Sequence, residues 1–521
     1  MKRTKINLIP QTTNQSPDYY CTWQSQLYAS SNSGPQGQRD HMTERDVFGN
    51  GHAEDMKNGI GWATYQYKQA RKDLYLILDD SWDVPLKNES ANDQWYGSLA
   101  LARDKFPTAY GTKNTKAFPQ DIPIDMNEAE RAMRQLAEKV KALGWKGLGG
   151  WVCVQKSPMV NLAYDAEGNI YDRNLSDEEY WSEALLRSYR AGWRYWKMDW
   201  GKDAGNPELR RIVTDLAHKL TPNMWIEHAI LPEVIPVSDI FRSYDAFTLM
   251  AIPLTLSRLS EMLLCETASG YHGMINCEDE PYIAAALGCV LGVMRHGMIG
   301  NLPNGEPDCS FPALHRNFKT KLTEVLRTVR WHRIAPAFGV NGKETFVDSH
   351  KLSDHWNIVS QKQEIEAWWK YKDADRIEVS APARIARGLV ATEITPDKNK
   401  NCPYVVASRN PNGTISIATL GRTNDRQYFT PRCDIAQMIQ DADTIGLFGY
   451  YASVKLICCD KIKSVYMQDL ADDYAFDITE ECRIGGNEVI IPGEILEKIG
   501  TSRNATNDTS EPGVVVRLER M

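Results

Sequence analysis

Short apolar runs of strand-like composition recur along the first two-thirds of the chain, and carboxylates close them. Residues 74–78 run into Asp79-Asp80, and residues 193–196 lead through Lys197-Met198 to Asp199. Residues 224–226 precede Glu227, residues 240–243 precede Asp245, and residues 274–275 precede Glu278-Asp279. An ionised carboxylate at the end of a buried strand is costly unless water, a partner or a ligand receives it. Its repetition predicts strands that end together around one acidic pocket. In barrels of alternating strands and helices, active sites form at the C-terminal ends of the strands.

The segments between those runs read as helices. Residues 127–143 carry Met133, Leu136, Val140 and Leu143 on one face, with Asp125 and Glu128 as a capping-box pattern in front and Gly144 behind. Ser176 with Glu179 opens a second helix that ends at Gly192, and Asn206-Pro207 opens a third, with Leu209, Ile212, Val213, Leu216 and Leu220 on one side. Strand candidates lie near Tyr19, Tyr75, Gly149, Tyr195, Trp225, Phe241, Ile275 and Met298. Strand–helix pairs of this length favour a parallel sheet covered by helices, and eight candidates favour a closed (β/α)₈ TIM barrel over an open sheet. The barrel is expected over residues 1–350. From 351 to 521 the texture changes to short β-prone runs, such as 404–408, 453–458 and 514–518, separated by Asn410-Pro411-Asn412-Gly413 and Gly485-Gly486-Asn487. That half predicts a C-terminal antiparallel β-sandwich, placed for support or carbohydrate contact.

At 521 residues the chain exceeds one ordinary core. A net charge of −8 without a basic stripe argues against a nucleic-acid partner. No apolar run reaches the roughly 18 residues of a membrane span. Met1-Lys2-Arg3-Thr4-Lys5 lacks the apolar core of a signal peptide, so a cytoplasmic location is expected, or a periplasmic or secreted one for a trimmed precursor. The 11 cysteines include no CxxC and predict buried free thiols rather than a disulfide framework.

Residues i and i+2 of a strand share a side, so Lys197 and Asp199 project together, and the ammonium would keep the carboxylate ionised, as a nucleophile requires. The same pair would also serve as a structural ion pair at a barrel mouth. Asp245, among Tyr244 and Phe247, suits a proton donor, whereas Arg242 would instead hold it ionised or bind a substrate hydroxyl. Asp79 and Asp80 suit bidentate capture of sugar hydroxyls, with Trp82 and Trp151 as faces for a pyranose. Metal binding is the rival, but the ten histidines show no ligand spacing, so no metal and no cofactor are expected.

These motifs resemble glycoside hydrolase family 27. Leu76-Ile77-Leu78-Asp79-Asp80-Ser81-Trp82, Lys105-Phe106-Pro107, Gly147-Leu148-Gly149, Trp196-Lys197-Met198-Asp199, Arg242 to Asp245, and Asn276-Cys277-Glu278-Asp279 follow that family's order. The resemblance implies a retaining glycosidase acting on terminal α-D-galactosides, with Asp199 as nucleophile and Asp245 as acid/base. Asp79 and Asp80 would bind the 4- and 6-hydroxyls, and Lys197 and Arg242 ring hydroxyls. Glu227 would lie near the 2-hydroxyl, while Trp151 and Asp279 would line the pocket. The chain departs from the family in having only Ser243 and Tyr244 between Arg242 and Asp245, and Trp200-Gly201 where a cysteine commonly follows the nucleophile. The expected partner is an oligosaccharide or glycoside. Other readings are a related α-glycosidase, a β-L-arabinopyranosidase, a transglycosylase, and a non-catalytic carbohydrate-binding barrel.

Overall fold

The computed structural model describes residues 1–23, 25–26, 41–49, 61–86, 92–112, 123–243, 251–263, 273–294, 321–340, 355–361, 376–424, 427–504 and 508–521. Eight parallel strands close a barrel in chain order: β1 Tyr19–Cys21, β2 Tyr75–Leu78, β3 Gly147–Val152, β4 Trp193–Met198, β5 Trp225–His228, β6 Ile240–Arg242, β7 Met274–Glu278 and β8 Val290–Val293. Strand β8 pairs back onto β1 through Gly292–Tyr19 and Val293–Tyr20. The expected eighth strand near Met298 lies outside the described residues. The strand that closes the barrel comes earlier, because α5 Pro281–Leu287 is too short to push it further along the chain.

Alternation along the strands sorts the two faces. Tyr19, Cys21, Tyr75, Ile77, Tyr195, Ile240, Met274 and Val290 form one buried cluster inside the barrel. Their neighbours Tyr20, Leu76, Leu78, Trp196, Met198, Ile226, Phe241 and Ile275 join the larger core against the helices. Helix α1 Met126–Ala142 starts at the Asp125 cap, whose side chain accepts from the amides of Asn127 and Glu128. The full reciprocal capping box forms at Ser176 and Glu179 ahead of α2 Asp177–Arg190. Asn206 caps α3 Pro207–Leu220 with proline in its first turn, and α4 Ala251–Met262 lies between β6 and β7.

The C-terminal half forms the expected two sheets. One has eight strands, running from Arg384–Arg387 at one edge to Phe476–Asp477 and finally Lys2–Arg3 at the other; the second has five, built on Asp434–Gln440 and Ser453–Cys458. The N-terminus therefore pairs with the C-terminal sheet. Val405, Ile417, Leu447, Val465 and Val516 meet Val454, Leu456, Val489 and Ile491 in a shared core. Most pairings are antiparallel, but Arg384–Arg387 with Tyr404–Arg409, Ile415–Leu420 with Thr444–Phe448, and Asp434–Gln440 with Ser453–Cys458 are parallel. The expected 350/351 boundary falls outside the described residues. All described cysteines are free. Among the described residues, no helix is long and apolar enough to cross a membrane.

Helices α5 and α6 Leu322–Ile334 carry the contact between the two halves. Tyr282 and Trp331 pack on Phe448 with ring centroids 5.0 and 5.9 Å away. Arg327 forms a two-pronged pair with Asp469 at 2.8 and 3.0 Å, both side chains buried. Removing one partner of such a pair strands a buried charge. Asp469→Asn is expected to lower stability by about 3–5 kcal/mol in denaturant unfolding. An Arg327→Met, Asp469→Leu double variant should recover much of that loss.

Candidate active site

Register and alternation assemble the site. Trp151 pairs with Lys197 across β3–β4, and Lys197 with Glu227 across β4–β5, so these three occupy one layer of the barrel. Asp199 lies two residues beyond Lys197 and faces the same way. Arg242 pairs with Asn276 across β6–β7, and Glu278 lies two residues further along β7.

The charges interlock. Arg242 reaches Asp199 Oδ1 through Nη2 at 3.0 Å, Glu278 Oε1 through Nη1 at 3.0 Å, and Glu227 Oε1 through Nε at 3.7 Å. Lys197 Nζ donates to Asp79 Oδ2 at 2.8 Å and lies 3.8 Å from Asp199 Oδ2. The Trp151 indole N–H donates to that same Asp199 oxygen at 3.3 Å. Burial alone would raise Asp199, but the Arg242 guanidinium and the Lys197 ammonium outweigh it and hold the carboxyl below its ordinary range. For Lys197, burial and Arg242 act to lower the pKa, and the carboxylates of Asp79 and Asp199 with the Cys21 thiol outweigh them and raise it. Glu227 goes the other way. Burial raises it, although Arg242 opposes and the Tyr195 hydroxyl, at 2.6 Å, and the Asn276 amide, at 2.8 Å, both donate to it.

Most of the expected site residues converge, with different duties. Asp79 Oδ2 accepts from both Lys197 and the Cys21 thiol, each at 2.8 Å, and Asp79 Oδ1 accepts from the Asp80 amide. Asp80 Oδ1 accepts from the Tyr96 hydroxyl at 2.8 Å. Asp279, at positive φ of 59°, accepts the Met294 amide on Oδ1 at 2.8 Å and so ties β7 to the end of β8. Trp82 is buried, with its indole N–H on the Trp151 carbonyl, so it offers no face to a sugar. Asp245 lies outside the described residues. Its neighbour Asp239 sits before β6 at the opposite end of the barrel, accepting the Ile226 amide and facing His218 at 2.5 Å.

The sequence places Glu278 among the strand-end acids without giving it a role of its own, and it does not point to Tyr19, Tyr195 or Arg210 as site residues. Glu278 was legible by period-two alternation from Asn276. Arg210 was not. It is a fully buried arginine on α3 whose guanidinium donates to the carbonyls of Asp199, Met198 and Ala204, fixing the backbone that presents the nucleophile candidate. Gly292 is also part of the site: a Cβ there would stand 2.6 Å from Asn276 Nδ2 and 2.7 Å from Tyr19 Oη.

Comparison with known proteins adds loose likenesses. No family model matches the chain, and no curated protein does. A family 27 β-L-arabinopyranosidase from Geobacillus stearothermophilus is 10% identical, over 98% of this chain and 96% of that one, at a TM-score of 0.37. A Bacillus halodurans protein, provisionally described as an α-N-acetylgalactosaminidase, is 10% identical over 100% of both chains at 0.39. An α-amylase from Geobacillus thermoleovorans is 8% identical over 98% of this chain and 100% of that one, also at 0.39. The chain resembles family 27 in the order of its motifs.

Two outcomes follow from this geometry. Asp199 is held below its ordinary value of 3.8, so its ionised form supports the fold above that value, and the support fades as pH falls through the lower folded value. Asp199→Asn should therefore be less stable than wild type in urea unfolding near neutral pH, with the gap closing below 3.8. Gly292→Ala should displace Tyr19 and Asn276 from Glu227 and cost about 1–3 kcal/mol, read as a lowered Tm.

Proposed function

We propose that the protein is a retaining glycoside hydrolase acting on terminal α-D-galactosides. One observation carries the reading: Asp199 is buried at the C-terminal end of β4 and kept ionised between Arg242 and Lys197. A carboxylate so held is a nucleophile rather than a proton donor. It attacks C1 of the sugar and forms a covalent glycosyl-enzyme as the glycosidic bond breaks. Asp245, carried over from the motif resemblance, protonates the leaving oxygen and then takes a proton from the water that releases the sugar.

The charge balance supports the same chemistry. Leaving Glu227 aside, the buried carboxylates Asp79, Asp80, Asp199 and Glu278 outnumber the buried cations Lys197, Arg210 and Arg242. A surplus of negative charge there favours a transition state in which the sugar becomes an oxocarbenium-like cation. Asp79 and Asp80 supply separate acceptors for the 4- and 6-hydroxyls, which favours galactose over arabinopyranose, a sugar without the hydroxymethyl group.

Asp199→Gly should lose on the order of 10³-fold or more in kcat on 4-nitrophenyl α-D-galactoside. Added azide should restore part of the activity and yield the β-galactosyl azide; wild-type turnover would overturn the assignment. Asp245→Ala should lose far more activity on a substrate with a poor leaving group than on α-D-galactosyl fluoride, whose departure needs no proton. Faster turnover of the nitrophenyl β-L-arabinopyranoside than of the α-galactoside would move the substrate to arabinose. Sugar binding without hydrolysis would leave a binding barrel, and transfer to an added sugar acceptor in preference to water would make the protein a transglycosylase.

A further inference from the structure

The groups around Asp199 are buried, yet the next residue in the chain is not. Trp200 is 43% exposed, whereas Trp62, Trp82, Trp95, Trp145, Trp151, Trp181, Trp193, Trp196 and Trp331 are all buried. Leaving so large an apolar ring in water forgoes the stabilisation that its burial would bring. Nor is the ring carried on a loose tip. Its carbonyl accepts the Val154 amide at 2.9 Å, and the Asp199 amide before it donates to Val152 at 3.2 Å. Gly201 follows at φ of 150°, so close to the segment after β3 that a Cβ would stand 2.6 Å from the Val154 carbonyl oxygen. The Trp200 ring lies edge-on to Trp151 at 5.7 Å and tilted against Tyr96 at 6.0 Å. Trp151 in turn holds Asp199, and Tyr96 holds Asp80.

We infer that Trp200 is the stacking platform for the ring on the departing side of the scissile bond, a pyranose or an aryl group that presents a flat apolar face. Everything that would grip the reacting sugar is buried: Asp79 is 1% exposed, Lys197 1%, Arg242 2% and Glu227 0%. A second ring joined to that sugar must sit outside the floor, and among the described residues Trp200, packed on Trp151 and Tyr96, offers an exposed aromatic surface beside it. A tryptophan fixed by its backbone offers this area with little side-chain entropy left to lose. The stacking duty that the sequence suggests for Trp82 thus passes to Trp200, since Trp82 is enclosed. The inference rests on the glycosidase reading, and its test separates the two.

The first arm compares wild type, Trp200→Ala and Trp200→Phe on 4-nitrophenyl α-D-galactoside, an α-1,6-linked galactosyl glucose and α-D-galactosyl fluoride. Trp200→Ala should lose about tenfold in kcat/KM on the two ring-bearing substrates, mostly through KM, and change less than about twofold on the fluoride. Trp200→Phe should recover most of the loss. Selective loss on the aryl substrate or on the disaccharide identifies which ring the platform serves. The second arm needs no turnover. In an Asp199→Ala background, Trp200→Ala should weaken equilibrium binding of the nitrophenyl galactoside about tenfold. An equal loss on the fluoride would mark Trp200 as a support for Asp199, and unchanged binding in the second arm would remove the platform; either result overturns the proposal. Inactivity of the wild type on all three substrates would count against the glycosidase reading alone, leaving the binding arm to decide on Trp200.

Discussion

One guanidinium organises the centre of this barrel. Arg242 on β6 meets Asp199, Glu227 and Glu278 from β4, β5 and β7, and Lys197 links Asp79 to the same cluster. Taking so many charges out of water is expensive, and only close mutual pairing offsets it. The arrangement therefore requires strands whose register is fixed to the residue, since a one-residue slip would turn each of these side chains outward. The inner cluster of Tyr19, Cys21, Tyr75, Ile77 and Tyr195 and the outer core against the helices hold that register from both sides.

The same network divides the work among chemically similar groups. Asp199 and Glu227 are both buried carboxyls near Arg242, yet their pKa values move in opposite directions. Asp199 has a cation on each side, whereas Glu227 is fully enclosed with its hydrogen bonds coming from neutral tyrosine and amide donors. Burial without enough positive charge raises a carboxyl, and burial with it lowers one. Two roles follow from one residue type.

The C-terminal half bears on the site through α5. Ser408 and Ser416 donate to the Ala286 carbonyl, Tyr282 reaches the Glu511 carbonyl at 2.6 Å, and α5 begins directly after the β7 turn that holds Glu278 and Asp279. Its outer sheet face thus braces the strand that supplies a carboxylate to Arg242. Short strands and polar turns could not reveal that, because nothing local in them records what they pack against.

Read alone, the sequence determined the barrel, the two-sheet second half and the strand-end acids. Period-two alternation, helix caps and turn residues act over a few neighbours and are written locally. It also placed Lys197 beside Asp199, since i and i+2 on a strand must share a face. The tertiary structure decided how those acids are used. Arg242 bridging three strands, Arg210 clamping the Asp199 carbonyl from α3, the Cys21 thiol on Asp79 and the enclosure of Trp82 are contacts between residues distant in the chain. Their energies depend on burial and on charges brought within about 4 Å of one another, and neither exists until the barrel closes.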